Sequence, residues 1–275
     1  MTTIFTLMII LLFSYYIFSN EKTTVTMKYY LFDWDDNIMY MPSKVYLQTQ
    51  KRDEIGISTE EFRSIRHKLN EHFEYNGEII TGLSSLAFRD FRCGYIPFMT
   101  DVQNSQLGPS WDDFIEAINN GSYFAIITAR GHNPEVLRRT IETFIENDYK
   151  GISRDSLVYC LKQYHYITNK EYTNDDDAIK DYLDDCLFYP VAYHNKDGSL
   201  KPEHLKTEQI KQFINTMKVH IKMMESSTFK FKFIPKFGFS DDDPHTIEYS
   251  KQIEELNIYS TEDGTKTLVQ NDDIR

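Results

Sequence analysis

Hydrophobic residues follow two rhythms along this chain. Continuous apolar runs at 28–32 and 123–128 have the length and composition of strands covered on both faces of a parallel sheet. Further strand-like runs lie at 156–161, 188–194, 229–239 and 266–270, with Pro190 marking an edge or a bend. Elsewhere apolar positions recur every third or fourth residue. Phe62, Ile65, Leu69 and Phe73 make one such stripe, entered through Ser58 and Glu61 at capping-box spacing. Phe114, Ile115 and Ile118 follow Ser110, which can cap their helix, and stop at Asn119-Asn120-Gly121. Leu137, Ile141, Phe144 and Ile145 follow Asn133-Pro134, a good N-cap and first helical residue. Ile210, Phe213, Ile214, Met217 and Ile221 predict a long helix over 206–224, and Asp243-Pro244 opens another. Strands alternating with helices predict an α/β fold, a Rossmann-like parallel sheet with helices on both faces.

Composition fits a folded protein: 41% of the 275 residues are hydrophobic and 15% aromatic. The net charge of −12 opposes binding to a nucleic-acid backbone, which needs clustered Lys and Arg. A small phosphorylated substrate is compatible with it, given a local basic patch. Cys93, Cys160 and Cys186 form no C-x-x-C pair, so they predict ordinary thiols in a reducing compartment, with neither a zinc site nor a disulfide framework. Residues 4–18 are strongly apolar but shorter than the roughly 20 residues that span a bilayer comfortably. Three readings of residues 1–26 stand side by side: a membrane anchor, a segment preceding a translation start at Met27, or a helix packed on the domain. The expectation is a cytoplasmic catalytic domain, with membrane association through 4–18 left open.

The candidate chemistry begins where the first apolar run ends, at Asp33-Trp34-Asp35-Asp36-Asn37. A buried strand followed by clustered carboxylates puts acid groups at the C-terminal edge of a sheet, where open α/β folds bind ligands. Such carboxylates repel one another unless a hard cation such as Mg²⁺ offsets their charge. Thr128 ends the second run and leads into Ala129-Arg130-Gly131-His132, while the run at 229–239 leads into Ser240-Asp241-Asp242-Asp243.

This order of motifs resembles the haloacid dehalogenase superfamily of phosphotransferases, over roughly residues 27 to 250. Asp33-Trp34-Asp35 is similar to its first motif, Thr128 to its second, and the Asp241 cluster to its fourth. Lys206 is the choice for the third, with Lys201 and Lys211 as close competitors. Asn37 departs from the family, which usually has Thr or Val there, and is expected to affect turn packing. The resemblance implies a Mg²⁺-dependent phosphatase. Asp33 would be the nucleophile and Asp35 the acid/base. Thr128 would bind the phosphoryl group and Lys206 neutralise charge. Asp33, Asp241, Asp242 and the backbone carbonyl of Asp35 would surround the metal. It also implies that 41–120 is a mainly helical cap inserted into a core made of 27–40 and 121–275, with Arg89 and Arg92 reaching substrate. Residues 128–132 look similar to the second motif of polynucleotide-kinase-type phosphatases, which suggests a nucleotide or polynucleotide end as an alternative substrate and Arg130 as a further contact. A noncatalytic binding protein on the same fold is the rival class. The segment 150–205 is expected to carry a smaller second insert.

Overall fold

Two apolar runs far apart in sequence, β1 (Thr23–Phe32) and β10 (Phe231–Asp241), lie side by side and parallel, with Thr23 opposite Phe231 and Phe32 opposite Ser240. They form the centre of a six-stranded sheet in the computed structural model, which describes residues 22–168, 171–195, 199–228 and 231–271. Next to β1 run β8 (Phe124–Thr128) and then β9 (Leu187–Pro190), both parallel. Beyond β10 lie parallel β11 (Leu256–Ser260) and antiparallel β12 (Thr267–Gln270). The sheet order is β12-β11-β10-β1-β8-β9, so the C-terminal ends of β8, β1 and β10 share one edge. The α/β sheet expected from the alternating pattern is therefore present.

Strand alternation sorts the side chains between two layers, because successive residues point to opposite faces. Tyr29, Leu31, Ala125 and Ile127 pack with Ile210, Phe213 and Ile214 of α8 (Pro202–Thr228) and with Ile247 of α9 (Pro244–Ser250). Phe32, Phe124 and Ile126 pack on the other side, against α3 (Trp111–Asn119), α4 (Pro134–Glu146), α5 (Arg154–Thr168) and α6 (Asp175–Asp185). Asn133 caps α4 by accepting from the Glu135 N–H at 3.0 Å, as its position before Pro134 predicts.

Some expectations need correction. The run 156–161, read as a strand, lies inside α5, where Leu157, Val158 and Leu161 form a helical stripe. A short apolar run is ambiguous between strand and helix until its neighbours are known. The strand expected at 188–194 stops at Pro190 and turns into the short helix α7 (Val191–His194); β9 is an edge strand, where a residue without an N–H is tolerated. Ser110 precedes α3 but makes no side-chain cap, because its hydroxyl is used elsewhere.

The insert differs most from its expected form. Residues 45–83 are organised by a four-stranded antiparallel sheet, β4-β3-β6-β5, made of β3 (Val45–Thr49), β4 (Glu54–Ile57), β5 (Phe73–Tyr75) and β6 (Glu78–Leu83). The stripe from Phe62 to Phe73 is helical only at α1 (Thr59–Ile65) and its 3₁₀ extension Arg66–Lys68, and Phe73 begins a strand. The signal lay in Asn76-Gly77: both residues take positive φ (49° and 81°), the geometry of a tight hairpin turn. Capping by Ser58 and Glu61 at the start of α1 forms as predicted. The pair β2 (Met39–Tyr40) and β7 (Gln106–Leu107) closes the base of the insert. Gly108 follows it so tightly that a Cβ would lie 2.3 Å from the Asn37 carbonyl oxygen. Val45, Leu47, Ile57, Ile65 and Ile80 form a small core of their own, whereas Phe98 and Val102 of α2 (Tyr95–Gln103) pack with Phe114 into the main core. By packing, the separate core of the insert ends near Cys93, and α2 and α3 pack with the main body, although they lie within 41–120.

Among the described residues no helix is long and apolar enough to cross a membrane. The apolar segment 4–18 lies outside them.

Candidate active site

Asp33 immediately follows β1, and Asp241 ends β10. Their strands are adjacent, and the Asp33 N–H donates to the Ser240 carbonyl at 3.0 Å, which locks the two ends in register. Both carboxylates are buried, and one ammonium joins them. Lys206 Nζ donates at 2.8 Å to Asp33 Oδ1 and at 2.8 Å to Asp241 Oδ2. Lys206 stands in the first turns of α8 and is 3% exposed. Its competitors lie elsewhere: Lys211 pairs with Glu208 on the surface, and Lys201 is exposed at the helix start.

The electrostatics follow from burial. Burial pushes Asp33 up to about 7, against the pull of Lys206, with Asp241 and Asp35 adding to the push. Burial also raises Asp241, again against Lys206. Asp242 is raised well above the carboxylate range by burial and by Asp241 and Asp33 beside it. Burial alone would lower the Lys206 ammonium, but Asp241 and Asp33 more than offset it and hold it above the ordinary lysine range. One lysine therefore leaves Asp33 and Asp241 short of positive charge. Oxygens of Asp33, Asp241 and Asp242 lie within 4.8 Å of one another, a set that could hold a metal ion. Purely oxygen donors suit a hard divalent cation.

Asp35 belongs to a different pair. Arg130 Nε donates to its Oδ2 at 2.8 Å and Arg130 Nη2 to its Oδ1 at 2.6 Å, a bidentate arrangement. Expected to touch substrate, Arg130 is instead 1% exposed, held behind Asp35, bonded to Ser43 Oγ at 3.0 Å and stacked near Phe91 and Phe98. Both carboxylate oxygens of Asp35 face this guanidinium, so its side chain stands outside the carboxylate cluster. Thr128 is fully buried at the end of β8, and its hydroxyl accepts from the Arg130 N–H at 3.4 Å. Of the two arginines expected from the cap, Arg92 lines the cavity over Asp33. Arg89 lies away from it, stacked on Tyr46 and paired with Glu54 at 2.9 Å.

Sequence reasoning missed two parts of the site. Asn37 is a buried connector. Its Nδ2 donates to the Asp33 and Ser240 carbonyls, each at 3.0 Å, and its Oδ1 accepts from Ser110 Oγ at 2.8 Å and Thr261 Oγ1 at 3.2 Å. It thus ties both carboxylate-bearing strand ends to α3 and to the residue after β11. The departure at this position was visible, but the partners Ser110, Ser240 and Thr261 were not. The second omission is the cap's own reach. Arg63 of α1 pairs with the Asp242 carboxylate and donates to its carbonyl at 2.8 Å, while Arg66 pairs with Asp243 at 3.0 Å. Residues three apart on a helix face meet two successive loop residues, across 179 and 177 positions of sequence that carry no signal of it. Asp243 also caps α9, accepting from the His245 N–H at 3.2 Å. Asp36 adopts φ 53° and accepts from Thr59 Oγ1 at 2.7 Å, the role of a turn residue.

The cavity between the insert and the body measures about 500 Å³ and reaches Asp33, Asp35, Lys206 and Asp242. Comparison with known proteins adds no identity to this geometry: no family model matches the chain, and no curated protein or solved structure matches it either.

Proposed function

We propose that the chain is a Mg²⁺-dependent phosphomonoester hydrolase that works through an aspartyl-phosphate on Asp33. The observation that carries this reading is the buried Asp33–Lys206–Asp241 bridge at the ends of adjacent parallel strands, with Asp242 within reach of the same ion. Asp33, Asp241 and Asp242 would hold the cation, whose chemistry is to offset the negative charge shared by the carboxylates and the phosphoryl group.

The chain's own residues supply the rest. Lys206 fixes Asp33 Oδ1 and leaves Oδ2 for attack on phosphorus. As that bond forms, the ester P–O bond breaks and the leaving oxygen takes a proton from Asp35. Asp35 then removes a proton from water, which attacks the aspartyl-phosphate, frees Asp33 and releases phosphate. Since Arg130 engages both Asp35 oxygens, this reading requires Arg130 to yield one of them, and Asp35 to take up a proton from solvent on that oxygen, as substrate enters. The Lys206 ammonium neutralises charge that builds on the phosphoryl oxygens. Thr128, through Arg130 N–H, helps to shape the 129–131 loop that forms one wall.

Asp33→Asn tests the mechanism. Turnover of p-nitrophenyl phosphate with Mg²⁺ is expected to fall by about 10³-fold or more, with the fold preserved in a thermal melt. Unchanged turnover would reject Asp33 as nucleophile. A binding protein without catalysis would show cation binding by calorimetry and no turnover by the unaltered chain.

A further inference from the structure

The cavity over Asp33 is larger than a phosphoryl group requires, and the wall provided by the cap is aromatic. Phe62 of α1 and Phe88 and Phe91 of the following segment line it, together with Val45. Phe62 and Phe88 meet edge to face, with centroids 5.6 Å apart and planes at 87°. Phe88 and Phe91 continue the pattern at 6.1 Å and 70°. These three rings are only half-buried, whereas Phe32, Phe124, Phe237 and Phe239 of the sheet are at most 2% exposed. An aromatic ring left partly uncovered inside a cavity retains apolar surface that a ligand can remove from water.

Cations stand near the same wall. Arg63, Arg66 and Arg130 are each committed to a carboxylate, while among the described residues Arg92 has no ion pair. A guanidinium near an apolar wall favours a π face over a saturated ring. Asp33 lines the same cavity, so a group resting on the wall and a phosphoryl group at Asp33 would share one space. The volume of about 500 Å³ accommodates a small molecule of this kind.

We infer that the leaving group of the substrate carries an aromatic ring, which lodges against Phe62, Phe88 and Phe91. This inference rests on the phosphomonoester reading above and specifies the substrate class for that site. The ring extends the edge-to-face series of the three phenylalanines. A saturated ring of equal size fills the same space but lacks the quadrupole on which such pairs depend.

The test separates the ring from the chemistry. Benzylphosphonate and cyclohexylmethylphosphonate, which cannot be hydrolysed by loss of an alcohol, are titrated calorimetrically into the full chain with Mg²⁺. Phosphate release from benzyl phosphate and ethyl phosphate is measured in parallel. Benzyl alcohol and ethanol are leaving groups of similar basicity, so leaving-group ability does not decide the turnover comparison, and the phosphonate pair separates aromaticity from size. The expected result is about 10-fold tighter binding of benzylphosphonate than of its saturated analogue, and a higher kcat/KM for benzyl phosphate than for ethyl phosphate. Phe88→Leu and, independently, Phe62→Leu should reduce the binding preference to about 2-fold. Equal binding of the two phosphonates by the unaltered chain overturns the inference, and if both phosphates are turned over the hydrolase reading survives it. A benzyl preference without turnover of any phosphate supports the aromatic site and rejects the hydrolase reading. Absence of both binding and turnover overturns both.

Discussion

The two walls of the cavity are built by opposite strategies. On the body side, Asp33, Lys206 and Asp241 are buried and delivered by strand ends and a long helix whose positions are set by hydrophobic layers. On the side of the insert, Arg63 and Arg66 reach the same loop through long side chains, and three phenylalanines stay partly exposed. The body wall holds charge at fixed distances in a low-dielectric setting, where each pairing matters greatly. The cap wall has its own small core and can tolerate change with little effect on the body. Chemistry placed on the first wall and selection on the second would let one vary without disturbing the other.

Removing the positive charge from the body wall is expected to have the largest effect on stability. Lys206→Met leaves Asp33 and Asp241 buried and facing one another, which should destabilise the protein by about 3–5 kcal/mol in urea unfolding at pH 7.5. A loss well below 1 kcal/mol would mean that the carboxylates are better solvated than their burial indicates.

Acid should act through His132, also behind the body wall. It is fully buried, against Phe98 and within 3.3 Å of Cys93 Sγ, and burial aided by Arg130 lowers it to about 3. A folded-state value below the unfolded one means stability that is present above about 6.5 and lost as pH falls toward 3. Asp33 works in the opposite sense: raised to about 7, it favours the folded state at low pH, and that contribution is lost as pH rises through about 7. The His132 contribution is therefore read as a difference. Compared with His132→Leu, the unaltered protein should lose up to about 3 kcal/mol more between pH 7 and pH 4. Parallel pH profiles for the two would remove His132 from the account.

Asn37→Ala tests the connector between strand ends. It strips partners from two buried carbonyls and the Ser110 hydroxyl, and a loss of about 2 kcal/mol is expected in the same unfolding assay. The smallest stability effect belongs to the cap wall. Arg63→Ala removes a largely buried pair and should cost about 1–2 kcal/mol. It also frees the Asp242 carboxylate, so Mg²⁺ titration should show binding tightened by a few-fold, roughly 3 to 10. Weaker binding would show that Arg63 supports the carboxylate cluster rather than competing for it.

The body wall was far more legible in the sequence than the cap wall. Asp33, Thr128 and Asp241 each follow an apolar run long enough to be a buried strand, so their place at a sheet edge follows from local pattern and parallel topology. The cap was misread because a stripe such as Phe62 to Phe73 fits a helix if taken alone, while the turn at Asn76-Gly77 divides it from the next strand. Arg89 and Arg92 illustrate the same limit. Both are basic and three residues apart, yet one stacks on Tyr46 and the other lines the cavity.

Local order in the chain was enough to specify the parallel α/β sheet, the capped helices at Asn133 and Asp243, and the acidic strand ends, because these depend on periodicity, turn chemistry and strand length. Tertiary packing alone decided which lysine joins Asp33 to Asp241, that Arg130 holds Asp35, that Asn37 connects the strand ends, and that Arg63 and three phenylalanines close the cavity. Those contacts join residues up to 224 positions apart, and their energies depend on burial and distance in three dimensions, which no local pattern encodes.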